Sequence, residues 1–497
     1  MAASTTSPSA SYRPAGTLDA AAALQPYAGP WNARLAAHLA RRAGFGGSPA
    51  DVAQLAATTM NGAVDRFIRF ADTSALPPPP ALEPPQFPRR ALRGQPAPNA
   101  EERMAAMKAK RLSRRRNLIA LQTWWLERMI ASPAPLQEKM TLFWHGHFTS
   151  AINEKNVTAQ MMLAQNQLFR RNALGDVRAL TLAVSQDPAM LRYLDNSVNV
   201  KAHPNENYAR ELMELFTLGI GNYTERDVRE SARAFTGWTY RLDRETGYGT
   251  FVADDRRHDD GVKTFLGRSG AFDGADIVRI IFEQPAAPRF LATKLLAFFV
   301  YQDPEPELVD QVAALIVRKG FVLQTVLSTL LRSQVFYSDR AYRALVKSPV
   351  EFVVGTHQLF GSPQVVPFEL ATLRSMGQVL FYPPNVKGWD GGAAWINSQT
   401  VLTRENFANA IAQSPAMLTD APWLSSAART MDPRNVARTL TTTMLQGDVS
   451  PAADAQLISY LDGDGQSTLS ALSVENADER VRRAAYLTMA MPAYQLA

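Results

Sequence analysis

The chain contains no cysteine, which excludes disulfides, thiolate metal sites and Cys nucleophiles and leaves any chemistry to His, carboxylate, Ser, Tyr or Lys side chains. No run of 18 apolar residues occurs, so nothing reads as a membrane span. The start, Met1 to Pro14, is rich in Ala, Ser and Thr and lacks both a basic and an apolar signal region, so the chain as written is expected to stay cytoplasmic. An excess of one charge is also missing. The 52 Lys and Arg against 46 Asp and Glu leave +6 over 497 residues, and no nucleic-acid partner is expected from so small a balance. What is present, 46% apolar and 20% charged residues, suits a large core and a soluble globular protein.

Helical signals dominate. Leu35, His38 and Leu39 recur at helical spacing before Gly44, and Ser48-Pro49-Ala50-Asp51 sets out an N-cap, a first-turn Pro and an early carboxylate. From Pro77 to Pro98 nine prolines forbid a helix and predict an extended strap. Asn99 to Met129 is the longest helical stretch; its basic run from Lys108 to Arg116 reads as a solvated face beside the packing residues Leu121, Trp124 and Trp125. Further helices are predicted over Pro135–Phe143, Asn156–Asn172, Gly175–Ser185, Pro204–Leu218, Thr224–Ala234, Gly274–Phe282, Arg289–Tyr301, Pro306–Lys319, Leu323–Leu331 and Pro349–Leu359. Between Thr236 and Asp255, aromatic and β-branched residues flank a turn at Gly247 and predict an inserted β-hairpin. The expected fold is therefore mainly α, a large helical bundle or array with one hairpin near 236–255 and long ordered loops. Its expected organisation is a loose tail over 1–31, a body over 32–412 that includes the strap 77–98, and a helical tail over 413–497 packed on the body.

Only six histidines occur, and four of them (His145, His147, His203, His258) fall in polar-aromatic segments. His145 and His147 flank Gly146 at i and i+2. On a helix they would point about 200° apart, so both serve one site only if the helix ends there and the chain extends. In that case they, with His203, are the expected ligands of a divalent metal; otherwise they cap a helix end. Asn207, Arg210, Glu211 and Glu214 follow helical spacing behind Pro204, aligning an amide, a guanidinium and two carboxylates beside Asn205 and Glu206. Exposed, this is a set of ordinary ion pairs; buried, its carboxylates must be paired, metal-bound or proton-shifted. His258 beside Asp259 reads as an oriented acid/base, as a further metal ligand, or as an irregular turn, with Lys263 following and Trp238 entering the hairpin. The stretch Phe381 to Ser398 holds Asn385, Lys387, Trp389 and Trp395 among prolines and glycines and leads into a helix carrying Arg404. Its composition is that of an ordered loop framing a pocket, suited to stacking on and hydrogen-bonding to a sugar-like ligand.

Arg41-Arg42-Ala43-Gly44-Phe45-Gly46, the Phe143–Phe148 run, Asn205 to Leu218, Tyr223 to Trp238, His258 to Gly267 and Pro383 to Trp395 together closely resemble the bacterial family catalogued as domain of unknown function 1800, from about Asn32 to Ala412. The resemblance implies a mostly helical single body. It also implies exported relatives, hence a periplasmic or secreted alternative location, and a sulfatase-like or phosphatase-like partner protein.

The residues point to a hydrolase acting on a glycan or similar polar polymer by paired-carboxylate chemistry. Glu206, Glu211, Glu214, His258 and Asp259 would be catalytic, and Asn205, Asn207, Arg210, Trp238, Lys263, Asn385, Lys387, Trp389, Trp395 and Arg404 would hold substrate. Two alternatives stand beside it: a His/Glu metal-dependent hydrolase or oxidoreductase, and a non-enzymatic scaffold that binds a glycan or a protein partner.

Overall fold

The structure, a computed structural model, describes residues 22–85, 99–152, 157–361, 367–463 and 469–497. Residues 1–21 of the expected tail and 86–98 of the expected strap lie outside the described residues.

Local rules set most helix starts. Capping boxes, in which the N-cap side chain takes the amide three residues on and is repaid by that residue's carboxylate, open the helices Pro49–Ala56 (Ser48 with Asp51), Ala100–Ala131 (Asn99 with Glu102), Glu225–Ala234 (Thr224 with Asp227), Gly274–Phe282 (Asp273 with Asp276) and Pro349–Phe360 (Ser348 with Glu351). The fold is mainly α: among the described residues 22 α-helices accompany two two-stranded hairpins. One apolar cluster runs through them from Ala23 to Tyr494. The C-terminal helix Val474–Ala490 joins it by packing on Ser398–Gln413 and Pro433–Leu445.

Three departures from the sequence expectations matter for the site. The helix predicted over Pro135–Phe143 continues through Gly146 to His147, so the chain does not become extended at the His-Gly-His run. The helix predicted over Pro204–Leu218 starts at Asn207 and changes at Leu212 into a π-helical turn, Leu212–Thr217, where the Thr217 hydroxyl donates to the Leu212 carbonyl at 2.5 Å. The hairpin Trp238–Leu242 with Gly249–Ala253 is present, Trp238 facing Ala253 in register, and a second, Lys263–Phe265 with Arg268–Gly270, follows it. That second hairpin turns through Leu266 and Gly267, both at positive φ, and its three-residue strands are too short to show the alternation that marks a strand in sequence.

A buried carboxylate fastens the helices that carry the site. Glu138, fully buried in the helix Pro135–His147, accepts from Arg128 at 2.7 Å, from Arg170 at 2.8 and 2.9 Å, and from the Trp125 indole at 3.0 Å. Burial pushes its carboxyl up, but the two guanidiniums outweigh this and hold it below the usual range. Three helices, Ala100–Ala131, Pro135–His147 and Ala159–Arg171, meet at this one group. Glu138→Gln leaves two largely buried guanidiniums without a counter-charge and is expected to lower stability by about 3–5 kcal/mol, read from the urea midpoint at an unchanged m-value; a loss below about 1 kcal/mol would mean the clamp is a surface-like ion pair.

Candidate functional site

The site is assembled where the end of the helix Pro135–His147 meets the Trp-rich loop. Glycine at 388 allows the approach. Trp389 lies over Gly146, where an added Cβ would come within 3.6 Å of the indole, and at Gly388, φ +87°, an added Cβ would overlap the Gly146 carbonyl oxygen. The loop backbone thus rests directly on the last helical turn.

Because the helix runs through both histidines, they serve different partners. His145 is buried, its Nε2 accepts the Phe381 amide at 3.1 Å, and its ring packs against Trp125, Trp389 and Phe381. His147 donates Nε2–H to the Phe216 carbonyl at 2.9 Å, which fixes its tautomer and leaves Nδ1 as the acceptor. That carbonyl belongs to the π turn. Burial alone pulls His145 down to about 3, and burial followed by Lys294 does the same for His147 against the opposing Phe216 bond, so both rings are neutral at ordinary pH. His203 sits exposed on a turn closed by a Val200 bridge. The expected metal set of His145, His147 and His203 is therefore corrected: the His145 Nε2 lone pair is spent on a backbone amide, and His203 faces solvent. Among the described residues no three His, Cys, Asp or Glu side chains group so as to hold a metal ion.

The Asn205–Glu214 segment splits in two. Asn205 and Asn207 are structural: the Asn205 side-chain oxygen accepts the Asn207 backbone amide at 3.0 Å, and the Asn207 side-chain amide donates to the Leu194 carbonyl at 3.1 Å. Arg210 is engaged by both Glu225 oxygens at 2.7 and 2.8 Å and by Glu206 at 3.2 Å. Glu211 carries no such cation. Partial burial and the nearby Glu214 push its carboxyl up against the pull of Arg210, while Glu214 accepts the Tyr223 hydroxyl at 2.9 Å.

Around the hairpins the expected site residues fasten the fold instead. His258 donates Nδ1–H to the Thr236 carbonyl at 2.9 Å. Asp259 is gripped by Arg233 at 2.8 and 3.1 Å, which holds its carboxyl below the usual range. Lys263, fully buried, donates to the Asp259 and Gly261 carbonyls, and Trp238 is buried edge-on against Phe235 and Phe251. Arg404 is likewise buried, donating to the Lys347 carbonyl at 2.7 Å and to Gln495 at 3.2 Å. Expected to touch substrate, Trp238, Lys263 and Arg404 are packing and tethering groups, because side chains sealed from solvent and tied to backbone have no face to offer a polymer.

The loop residues Lys387, Trp389 and Trp395 share a cavity with His147, whereas Glu206, Glu211 and Glu214 are not among its lining residues. A cleft of about 270 Å³ is lined by Phe143, Gly146, His147, Leu215, Lys294, Phe298, Ser348, Glu351, Gln378, Lys387, Trp389, Asp390 and Trp395. Lys387 pairs with Asp390 at 2.7 Å, and the Asn385 side chain accepts the Lys387 amide at 2.9 Å, shaping the loop at the cleft's edge. The Trp389 indole N–H is buried without an acceptor among the described residues. Burial and the neighbouring Lys387 hold Lys294 below the ordinary ammonium range, and Glu351 is kept ionised by Lys139 against its burial. A larger cavity, about 470 Å³ and bordered by Ser48, Asp51 and Pro135, holds none of the expected site residues. Sequence reasoning missed Lys294, Glu351 and Gln378. A lone charge in the largely apolar stretch Ala292–Phe299 was the available signal for the first; Glu351 reads as an ordinary capping residue and Gln378 carries no local mark.

The neutral histidines make a pH prediction. The unfolded chain protonates a histidine near 6.5, whereas the folded chain holds His147 neutral down to about 3, so stability is lost as pH falls through that window by about 1.4 kcal/mol per pH unit for each such ring. His147→Gln is expected to flatten the slope of urea stability against pH by about one proton there; an unchanged slope would show that His147 is charged in the folded protein.

The model of the family described as "Protein of unknown function (DUF1800)" matches residues 38–496, nearly the whole length, and the chain belongs to that family. No curated protein and no solved structure matches it.

Proposed function

For this member of the DUF1800 family we propose a hydrolase that acts on a glycan or similar polar polymer laid in the cleft beneath Trp389 and Trp395. The observation that carries this reading is the lining itself, which joins two indoles, a neutral imidazole with a free acceptor nitrogen, two lysines and two carboxylates in one cavity. Indoles stack on the apolar faces of sugar rings while the polar groups meet hydroxyls. Lys294 and Lys387 add a preference for acidic sugars.

Hydrolysis of a glycosidic bond needs one carboxyl that holds a proton and a second that acts as base. Glu211, raised by partial burial and by Glu214, is the proton-holding group, and Glu214, oriented by the Tyr223 hydroxyl, is its partner. Glu206 is left out of this pair because Arg210 engages its carboxylate. Glu211 gives its proton to the leaving oxygen as the glycosidic bond breaks; Glu214 draws a proton from water, whose oxygen bonds to the anomeric carbon. Leu215, on the same helical turn, lines the cleft wall, which sets the pair beside the cleft rather than among its lining residues.

The satisfaction of Arg210 by Glu206 and Glu225 favours a second reading, a binding module without chemistry. A screen of neutral and acidic glycans and of phosphate and sulfate esters separates the two. On a responsive glycan, Glu211→Gln is expected to cut kcat by about 10²–10⁴-fold with little change in melting temperature, and Trp389→Ala to weaken binding more than folding. Full activity in Glu211→Gln removes the carboxylate mechanism. Glycan binding that depends on Trp389, with no turnover of any substrate, makes the protein a binding module.

A further inference from the structure

The Arg41–Gly46 motif plays no part in the cleft, and it borders an unusual concentration of charge. Six largely buried cations, Arg41, Arg42, Lys139, Arg343, Lys347 and Arg404, lie behind the segment Leu345–Ser348. They are linked to one another: Arg41 and Arg343 share the Gln446 side-chain oxygen at 2.5 and 2.9 Å, and Arg41, Arg343 and Arg404 all act on Lys347. Against them stand two carboxylates, both already engaged. Glu351 is taken by Lys139, and Asp448 by Arg343 at 2.8 Å and by the Tyr342 hydroxyl at 2.6 Å.

Donors are left over. Nε and Nη2 of Arg41, Nε and Nη1 of Arg42 and Nε of Arg404 are buried without an acceptor among the described residues. Lys347, 8% exposed, sets its ammonium over the Tyr494 ring face, 4.0 Å from the centroid. Unpaired buried donors of this kind are costly, charged ones most of all. A cavity of about 220 Å³ opens against this cluster, walled by Arg41, Lys347, Gln446, Thr442, Thr443 and the Gly46–Gly47 turn. Both glycines have positive φ, +134° and +91°, and carry no side chain into the space.

We propose that this cavity binds a small tetrahedral oxyanion of the phosphate or sulfate class, free or as the head of an ester, with Arg41 and Lys347 as its charged contacts and Thr443 beside them. A dianion with several acceptor oxygens answers both the surplus of positive charge and the forked geometry of unused guanidinium donors. Burial and the three arginines push the Lys347 ammonium well below its ordinary range, a strain that a bound anion relieves. The inference is independent of the cleft chemistry.

Titration calorimetry and thermal melting of the full chain test it, using inorganic phosphate, sulfate and glycerol phosphate against sodium chloride of equal ionic strength. Saturable binding of phosphate or sulfate, with a melting temperature raised beyond the chloride control, is expected. Lys347→Gln should weaken it about tenfold or more. Ala53→Phe, at an exposed position on the cavity wall, should block it without touching a charge, which keeps the test decisive if Lys347→Gln fails to fold. Tighter binding of the ester than of either inorganic ion identifies the ligand as an ester head; the reverse identifies a free anion. No saturable binding by the wild type, or binding unchanged in Ala53→Phe, overturns the proposal.

Discussion

Everything that shapes the cleft depends on the position of one buried charge. Glu138 lies at the root of the helix whose far end carries His145, Gly146 and His147, and its oxygens take two arginines and an indole from the helices on either side. A carboxylate sealed from water must have every oxygen satisfied or be protonated. That requirement tolerates little sliding of Ala100–Ala131 or Ala159–Arg171 against the central helix. The apolar core supplies the larger share of the folding free energy; the clamp selects the register in which Gly146 reaches the surface where Trp389 lies on it.

The loop's seat follows from backbone rather than side-chain chemistry. Glycine at 388 leaves out the Cβ that would collide with the Gly146 carbonyl and lift the loop from the helix. The π turn at Leu212–Thr217 then completes the wall from the other side: its widened hydrogen bonding leaves the Phe216 carbonyl for the His147 ring, fixing the tautomer that keeps Nδ1 as an acceptor. Local irregularities in three separated segments are therefore one arrangement.

Much of this was legible in the chain. Helix starts that carry a capping box, such as Ser348 with Glu351, were readable because the cap and its carboxylate are neighbours in sequence. The first hairpin declared itself by aromatic strands around Gly247. The Trp-rich loop was recognisable as ordered, since its indoles needed partners that glycines and prolines could not provide locally. What the chain hid depends on distant contacts. Nothing near Arg404 or Lys263 shows that each ends beneath the surface on carbonyls. The π turn has no periodic signature, so the face expected from Asn207 to Glu214 at α-helical spacing divides between a structural half and the Glu211–Glu214 pair. His145 and His147 looked like one site at i and i+2 only on the premise that the helix stopped; it continues, and the two rings go to separate partners.

The segment Leu345–Ser348 gives the charges on its two sides a common boundary. Leu345, Val346, Ser348 and, one turn on, Glu351 line the cleft, whereas Lys347 lines the cavity behind. The Val346–Leu496 bridge and the Lys347 amide, bonded to the Gln495 carbonyl at 2.9 Å, pin the segment to the chain's last residues, so neither wall shifts alone. Glu351 is the point of contact: it faces the cleft yet is neutralised by Lys139, whose ammonium also holds the Arg41 and Gly44 carbonyls at the edge of the cation cluster.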